Sequence, residues 1–303
     1  MAGMRRYSPG DFLGLPKGQE GKADAPFLVF PVSYEATVTY QRGTGRGAKA
    51  AIEASHQVEL YDEELEFETY RVGIRTVDGF TSTARPERAL PELRRRYASL
   101  LRPERVIAMI GGEHSITLPA VQACAEVSPG LAVLQIDAHG DLRDEYEGTA
   151  FGHGCVMRRI SEFCPIVQLG IRSLSREEEE YRRGAKVKTF FAHRDRGRDA
   201  AGALLEALED PVYVTIDLDG FDPSVVPGTG TPEPGGLGWH EVLDLLRRVC
   251  AARRVVGFDV VELLPIRGQV ASDFLAARLV YRMMGYLAQA RGWLKGDGPD
   301  SRA

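Results

Sequence analysis

Short apolar runs recur along the chain, and each ends abruptly in polar residues. Runs of this length without alternation are typical of strands that are buried on both faces of a sheet. The predicted strands span residues 27–32, 106–110, 131–136, 165–171, 212–216 and 255–261. Between them, apolar residues recur at helical spacing, which predicts helices. The clearest of these cover residues 118–127, 200–208, 241–250 and 274–290.

The alternation of strands and helices predicts the fold class. It is typical of an α/β fold with a mostly parallel central sheet and helices on both faces. The sequence contains no internal repeat, low-complexity tract or Ser/Gly linker long enough to divide the chain. We therefore expect a single domain over residues 1–303.

Composition argues against several classes of protein. The chain has 303 residues, of which 44% are hydrophobic and 27% charged, so it can bury a substantial core. A net charge of -5 without a long basic block argues against nucleic acid as a partner. We find no signal-peptide pattern and no apolar stretch long enough to span a membrane, so we expect a cytoplasmic protein. The four cysteines include no C-x-x-C pair, which argues against a thiolate metal site.

Three of the predicted strands end in residue types that bind metal ions. These residues are His114 after the strand at 106–110, Asp137, His139 and Asp141 after the strand at 131–136, and Asp217 and Asp219 after the strand at 212–216. In open α/β sheets, ligands bind outside the carboxyl ends of the strands. We therefore expect all six side chains to converge on one crevice.

The spacing and chemistry of these six side chains predict a site for two metal ions. In an extended segment, residues two apart share one face, about 6–7 Å from one to the next. Four carboxylates and two imidazoles favour Mn²⁺ or a similar divalent ion over zinc held by thiolates. Two ions about 3.5–4 Å apart can share carboxylates as bridges, which accounts for six ligands. The alternative, that each carboxylate only caps a helix or closes a turn, does not account for three such clusters at strand ends.

Three motifs make the chain resemble the ureohydrolase family of arginases, agmatinases and related guanidino hydrolases. The family's metal motifs are similar in order and spacing to GGEHS at 111–115, DAHGD at 137–141 and IDLDGFDPSVVPGTGTPEPGG at 216–236. The resemblance covers about residues 30–287 and is strongest to the agmatinases. It implies an arginase-like three-layer sandwich and a homo-oligomer, either a trimer or a hexamer.

Carried over residue by residue, the resemblance implies roles for eight side chains. The ligands of two Mn²⁺ ions per subunit correspond to His114, Asp137, His139, Asp141, Asp217 and Asp219. Glu262 follows the apolar run at 255–261, where a carboxylate can bind a guanidinium substrate through a planar fork of two hydrogen bonds. His153 lies in a glycine-flanked loop, where an imidazole can contact the substrate and move a proton to the departing amine.

These roles give a hypothesis for the reaction. Two Mn²⁺ ions lower the pKa of a shared water, so that hydroxide is available at neutral pH to attack the guanidinium carbon. Glu262 holds the guanidinium, and Asp141 accepts a hydrogen bond or the proton from the hydroxide. The amine leaves with a proton from Asp141, relayed by His153, and urea remains.

The outer end of the pocket decides which guanidine is cleaved. Arginases have an Asn two residues after the last aspartate of the second motif, whereas this chain has Arg143, which disfavours arginine. The acids Asp144, Glu145 and Glu147 fit a substrate without a carboxylate, although they equally fit a solvent-facing loop. Agmatine, cleaved to putrescine and urea, is therefore the predicted substrate.

Other hypotheses remain open at this point. Arg143 could favour a carboxylate, so guanidinobutyrate, arginine or another guanidino compound is the alternative substrate. A binuclear phosphoesterase would use the same metals, but it should supply Lys or Arg donors for phosphate. An inactive metal-binding paralogue should have lost a ligand or Glu262, and neither is missing.

Some residues near the motifs are predicted to support the site. Glu113, Asp222 and Asp259 are candidates for orienting the ligands by hydrogen bonds, although Asp222 could instead start a turn. Glu113 and Gly152 depart from the family pattern, which usually has Asp at the first position and often Ser or Asn at the second. The acidic run at 177–180 is expected to lie on a solvent-facing helix.

Overall fold

A computed structural model describes residues 10–16, 18–19, 21–195 and 200–294. Its strands are β1 (Phe27–Tyr34), β2 (Tyr61–Asp62), β3 (Phe67–Glu68), β4 (Ile74–Thr76), β5 (Phe80–Ser82), β6 (Val106–Ile110), β7 (Ala132–Ile136), β8 (Ile166–Ile171), β9 (Val187–Phe191), β10 (Val212–Asp217) and β11 (Val255–Val261). Its α-helices are α1 (Gly47–Ser55), α2 (Pro86–Leu100), α3 (Thr117–Val127), α4 (Val156–Ser161), α5 (Arg176–Gly184), α6 (Ala192–Asp195), α7 (Ala200–Ala207), α8 (Trp239–Ala252) and α9 (Ala271–Ala290).

Nine of these strands form one central sheet. Its order is β4-β1-β6-β11-β10-β7-β8-β9, and β5 pairs with the second half of β1, beyond β4. Every pairing in this sheet is parallel. The strands β2 and β3 form a separate antiparallel pair. The prediction of a mostly parallel sheet is confirmed.

Helices cover both faces of the sheet and complete three layers. Alternate residues of β1 point to opposite faces, because Phe27 and Val29 pack into one hydrophobic core and Leu28 and Phe30 into another. The first core includes side chains of α1, α8 and α9, and the second includes side chains of α2, α3 and α4. The predicted α/β sandwich is therefore confirmed. That a single domain extends over residues 1–303 stays a prediction.

All six predicted strands and all four predicted helices are present, with ends that differ by up to three residues. The pattern did not reveal the short strands β2 to β5, the edge strand β9 or five of the helices. The strands β4 and β5 have only three residues each, which is too short for a periodicity to be visible. No described helix combines the length and apolar character needed to cross a membrane. All four cysteines are buried and free.

The sheet order explains why the motifs meet. The strands β6, β11, β10 and β7 are neighbours at the centre of the sheet and run in the same direction. His114, Asp137 and Glu262 lie just beyond the ends of three of these strands, and Asp217 ends the fourth. The predicted site residues therefore share one edge of the sheet.

Candidate metal centre and active site

His114 lies at the centre of a cluster of carboxylates. Its Nδ1 atom is 3.0 Å from Oδ2 of Asp141, 3.2 Å from Oδ2 of Asp137 and 3.3 Å from Oδ2 of Asp217. All four side chains are buried, and among the described residues this Nδ1 atom has no hydrogen-bond partner. One imidazole nitrogen facing three carboxylate oxygens is a donor set suited to a divalent metal ion.

Thr215 and Asp259 orient the His114 ring. His114 Nε2 is 2.9 Å from Oγ1 of Thr215, and the Thr215 hydroxyl donates to Oδ1 of Asp259 at 2.5 Å. Because this hydroxyl proton points to Asp259, the Thr215 oxygen accepts the proton of Nε2. Nδ1 is then the unprotonated nitrogen, which is the form that binds metals. Asp259 therefore supports a candidate ligand, as predicted.

A second cluster surrounds His139. Its Nδ1 atom is 3.0 Å from Oδ2 of Asp219 and 3.7 Å from Oδ1 of Asp137. Asp137 is common to both clusters, since the groups able to hold an ion combine it with His114 and Asp141 and with His139 and Asp219. Five of the six predicted ligands thus form two groups that share one carboxylate, and the sixth, Asp217, lies beside the first group through its contact with His114.

A row of side chains inside the sheet holds Asp137. Nε2 of Gln135 donates to Oδ2 of Asp137 at 2.7 Å, and Nε2 of Gln168 donates to Oε1 of Gln135 at 2.7 Å. The hydroxyl of Thr189, on β9, completes the row by donating to Oε1 of Gln168 at 2.7 Å. The backbone N–H of His139 donates to the other oxygen of Asp137 at 2.7 Å. Both oxygens of this shared carboxylate are therefore fixed in position.

The two clusters attract positive charge. Burial, and then the charge of Asp219, raises the pKa of Asp217 well above its usual value. Burial opposes a charge on His139, but the carboxylates of Asp219 and Asp137 outweigh it and raise its pKa to about 12. Divalent ions that displaced these protons would relieve the same repulsion. The residues present therefore fit two hard divalent ions such as Mn²⁺.

Asp141 and Glu262 adopt the left-handed backbone conformation, with φ values of 54° and 61°. Residues other than glycine rarely adopt it, because the Cβ atom crowds the backbone. Surrounding hydrogen bonds hold both residues: the Asp141 carbonyl accepts the N–H groups of Met157 and Arg158, and the Glu262 N–H donates to the Gly112 carbonyl. Such strain is typical of functional sites.

Glu262 lies beside His114, at the same edge of the sheet as the two clusters. It is 9% exposed, and its Oε1 accepts the backbone N–H of His114 at 2.7 Å. In the described part of the chain, its Oε2 receives no hydrogen bond. Burial raises the pKa of Glu262 well above its usual value. A cationic substrate beside it would favour the charged carboxylate.

His153 contacts the loop that follows β1. Its Nδ1 is 3.2 Å from Oγ1 of Thr37, and its backbone N–H donates to the same oxygen at 3.1 Å. Its ring packs edge-on against Tyr146, with ring centroids 6.0 Å apart. Burial lowers the pKa of His153, which favours the neutral ring.

Glu113 does not orient a candidate ligand side chain directly, contrary to its predicted role. Its Oε2 accepts the backbone N–H groups of Ala36 and Thr37, both at 2.6 Å. Its Oε1 accepts the hydroxyls of Thr37 at 2.8 Å and Ser115 at 2.5 Å. Glu113 therefore fixes the loop that contacts His153.

Two residues shape the loop of the third motif. Asp222 takes the turn-forming alternative, because its carboxylate accepts hydrogen bonds from Ser224, Gly235 and Gly236. The Arg172 guanidinium donates, at 2.7–3.3 Å, to the backbone carbonyls of Gly170, Asp219, Gly220, Phe221, Glu233 and Pro234. Arg172 therefore fixes the backbone around the candidate ligand Asp219.

A cavity of about 320 Å³ gives access to the site. Among its lining residues are His114, His139, Asp141, His153, Asp217, Asp219 and Glu262. Its outer wall includes Arg143, whose guanidinium carbon lies 4.5 Å from the Tyr146 ring centroid and whose Nε is 4.0 Å from Oε2 of Glu178. Glu178 is buried, and it accepts the N–H of Leu142 at 3.0 Å. The prediction of a solvent-facing acidic run is therefore wrong at this position.

The acids Asp144, Glu145 and Glu147 are not among the described residues that line the cavity. All three are exposed, and Asp144 pairs with Arg158 and Arg159. These three acids therefore lie in a solvent-facing loop, which was the alternative to a role in substrate binding.

Several supporting residues were not predicted from the sequence, among them Thr37, Arg172, Thr189, Gln135, Gln168 and Thr215. The last three interrupt apolar runs that predict buried strands. A polar residue in such a run must find a hydrogen-bond partner inside the sheet, which is a signal that could have identified it. Thr37 carries no comparable signal.

The chain is similar to known proteins over most of its length. Residues 25–285 match the model of the Arginase family. The N(1)-aminopropylagmatine ureohydrolase of Synechocystis sp. is 39% identical over 94% of this chain and 98% of its own. The agmatinase of Pyrococcus horikoshii is 33% identical over 88% of this chain and 93% of its own. The solved structure of proclavaminate amidino hydrolase from Streptomyces clavuligerus has a TM-score of 0.85 and 29% identity, over 95% of this chain and 100% of that chain.

The resemblance seen in the three sequence motifs therefore extends to nearly the whole chain and to its fold. Both the family model and the two sequence relatives cover far more than the motifs themselves. The chain belongs to the arginase family and is an agmatinase-like ureohydrolase.

Proposed function

We propose that this ureohydrolase binds two Mn²⁺ ions and hydrolyses agmatine to putrescine and urea. The observation that carries the proposal is the position of Asp137, whose carboxylate belongs to both the His114 cluster and the His139 cluster. A carboxylate shared in this way suits two ions about 3.5–4 Å apart.

The two clusters divide the candidate ligands. His114, Asp137, Asp141 and Asp217 would hold one ion, and Asp137, His139 and Asp219 would hold the other. When bound, the ions would lower the pKa of a water between them, so that hydroxide is available at neutral pH.

The protein's own residues position the substrate and move protons. Glu262 binds the guanidinium, and its buried setting strengthens a charge-assisted hydrogen bond. Asp141 takes the proton of the attacking oxygen. As the new carbon–oxygen bond forms and the carbon–nitrogen bond to the alkyl chain breaks, the leaving nitrogen receives a proton from Asp141, with His153 as the relay. Urea and the amine are the products.

N(1)-Aminopropylagmatine is a second candidate substrate, because the Synechocystis relative bears that name. Both compounds carry a guanidinium on the same butyl chain, and they differ in whether the far amine carries an aminopropyl arm. Arg143, Tyr146 and Glu178 line the outer cavity, where the far ends would lie. Arg143 also keeps guanidinobutyrate as an alternative, since a guanidinium binds a carboxylate.

Urea release by the Mn²⁺-loaded protein tests the proposal. Agmatine, N(1)-aminopropylagmatine, guanidinobutyrate and arginine are offered in parallel, with a chelator-treated control. Urea from agmatine supports the proposal, whereas urea from N(1)-aminopropylagmatine alone would support the second candidate substrate instead. If both release urea, the ratio of their kcat/KM values identifies the preferred substrate. Urea from arginine or guanidinobutyrate alone would refute the substrate assignment, and no urea from any guanidine would refute the activity.

Two further properties stay predictions from the sequence. These are a homo-oligomer, a trimer or a hexamer, and a cytoplasmic location. Light scattering coupled to size-exclusion chromatography would measure the first.

A further inference from the structure

Glu113 and Gly152 both lie against one side chain, Thr37. Glu113 accepts the Thr37 hydroxyl at 2.8 Å and its backbone N–H at 2.6 Å. Gly152 leaves space for the same residue, because a Cβ atom at position 152 would lie 3.2 Å from Thr37 Oγ1. Thr37 in turn contacts His153 through both the ring and the backbone.

The hydrogen bonds of Glu113 determine to which atom the Thr37 hydroxyl donates its proton. The two oxygens of a carboxylate together offer about four acceptor positions. Glu113 accepts four hydrogen bonds, from the N–H groups of Ala36 and Thr37 and from the hydroxyls of Thr37 and Ser115. The Thr37 hydroxyl therefore donates its single proton to Glu113.

The direction of the Thr37 hydrogen bond determines which nitrogen of the His153 ring carries the proton. With its own proton on Glu113, the Thr37 oxygen can only accept from His153. It accepts the backbone N–H at 3.1 Å, and the ring nitrogen Nδ1 at 3.2 Å must be the second donor. The neutral ring then carries its proton on Nδ1, and Nε2 is the unprotonated nitrogen.

We propose that Thr37, held by Glu113, is a positioning residue that fixes neutral His153 as the Nδ1–H tautomer. Nε2 is then the nitrogen that takes up the proton and delivers it to the leaving amine. This step rests on the proposed function, in which His153 relays that proton. The tautomer itself is a property of the folded protein and does not depend on the substrate.

Nuclear magnetic resonance of ¹⁵N-histidine measures the tautomer directly. The protein is loaded with diamagnetic Mg²⁺ and observed at a pH at which His153 is neutral. The chain has six histidines, and the His153→Asn variant identifies the signals of His153. The wild type is expected to have a protonated Nδ1 and an unprotonated Nε2.

Substitutions at the two supporting residues separate the proposal from a merely structural role. Thr37→Val removes both hydrogen bonds to His153 at similar volume, whereas Thr37→Ser keeps the hydroxyl and is the matched control. In Glu113→Gln, the amide oxygen accepts the two backbone N–H groups, and the amide nitrogen faces the Thr37 hydroxyl. Thr37 then accepts from the amide and donates to Nδ1, so the proton of the ring moves to Nε2.

The expected results are specific for each variant. Thr37→Val loses the fixed tautomer, and kcat falls about 100-fold with little change in KM, at the lower end of what a positioned acid–base group contributes. Thr37→Ser retains both the tautomer and kcat, and Glu113→Gln reverses the tautomer. In a His153→Asn background, Thr37→Val causes no further loss of kcat, because the two residues act as one unit.

Other outcomes would overturn the inference. A Thr37→Val protein that keeps the wild-type ¹⁵N pattern would do so, as would a Glu113→Gln protein with an unchanged tautomer. Loss of kcat in Thr37→Val to the same extent in the His153→Asn background would assign Thr37 a structural role. If the wild type has the expected tautomer but releases no urea from any guanidine, the proposed function fails and the tautomer assignment stands.

Discussion

The backbone N–H of His114 donates a hydrogen bond to Oε1 of Glu262 at 2.7 Å. A candidate metal ligand and the candidate guanidinium ligand are thus joined directly, at the ends of the neighbouring strands β6 and β11. Oε1 accepts the His114 N–H and keeps one further acceptor position, and Oε2 receives no hydrogen bond in the described part of the chain, so the contact is compatible with the predicted fork to a guanidinium. In the proposed mechanism, this contact would fix the position of the Glu262 carboxylate relative to His114.

Glu262→Gln is expected to lower kcat/KM for the guanidine substrate by about 10- to 100-fold. The amide can still accept the His114 N–H, but its NH₂ group cannot accept from a guanidinium, and a hydrogen bond to a charged group contributes about 1.5–3 kcal/mol. Metal analysis should find the same metal content as in the wild type. A variant with unchanged kcat/KM would remove Glu262 from substrate binding.

Asp141→Asn is expected to abolish urea release while the fold stays intact. The backbone φ of 54° at this position is tolerated by Asn, so the turn survives. Asp141→Ala is the informative comparison, because Ala resists this φ and should lower the free energy of unfolding by about 1 kcal/mol more than Asn does. Steady-state kinetics and denaturant unfolding measure both effects. Near-normal turnover by Asp141→Asn would refute its catalytic role.

Removal of the metal ions is expected to lower the Tm without unfolding the protein. A ligand present at about 100 times its Kd stabilises the folded state by about 2.7 kcal/mol, so dialysis against a chelator should lower the Tm by several degrees and stop urea release. Far-ultraviolet circular dichroism should keep its native shape, and added Mn²⁺ should restore both properties. Full activity in the chelated protein would contradict the binuclear assignment.

Arg172→Lys is expected to weaken metal binding about tenfold, mainly at the cluster of His139 and Asp219. Lys has three donors where Arg172 serves six carbonyl groups, and loss of an outer hydrogen bond to a ligand segment commonly weakens metal affinity by 10- to 100-fold. Isothermal titration calorimetry with Mn²⁺ measures the two affinities. Arg183→Lys, at an exposed pair with Glu179, is the control and should leave both unchanged.

Asp222→Asn is expected to destabilise the protein in a manner that depends on pH. Hydrogen bonds from the Ser224 side chain and backbone, and from Gly236 and Gly235, lower the pKa of Asp222 to about 2. Because the folded pKa lies below the unfolded value of about 3.9, this stabilisation is fully present above that value and is lost as the pH falls towards 2.

Thermal unfolding at several pH values tests whether the stabilisation by Asp222 decreases as the pH falls. The Tm of Asp222→Asn should lie below that of the wild type by a constant amount above about pH 5, and the two values should approach each other as the pH falls below 4. A difference in Tm that does not vary with pH would contradict the prediction.

The strands and the candidate ligands were predictable because each depends on local sequence. An apolar run predicts a strand, and Asp137 directly after one is placed at the sheet edge by topology alone. Glu178 was misjudged because its burial depends on the N–H of Leu142, a contact between residues that are distant in sequence. The contact of Thr37 with His153 spans 116 residues, and no local pattern encodes it.

His114 and Glu262 are separated by 148 residues, and their contact exists only when β6 and β11 lie side by side. The row of side chains that holds Asp137 likewise requires β7, β8 and β9 to be paired. Contacts between distant parts of a chain form late, since the entropy of closing long loops must be overcome first. We therefore expect the metal ions to enter a sheet that has already folded, unlike the ion of a zinc finger, which drives the folding of its domain. The ions would then lower the rate at which the native protein unfolds and would have little effect on the rate at which it folds.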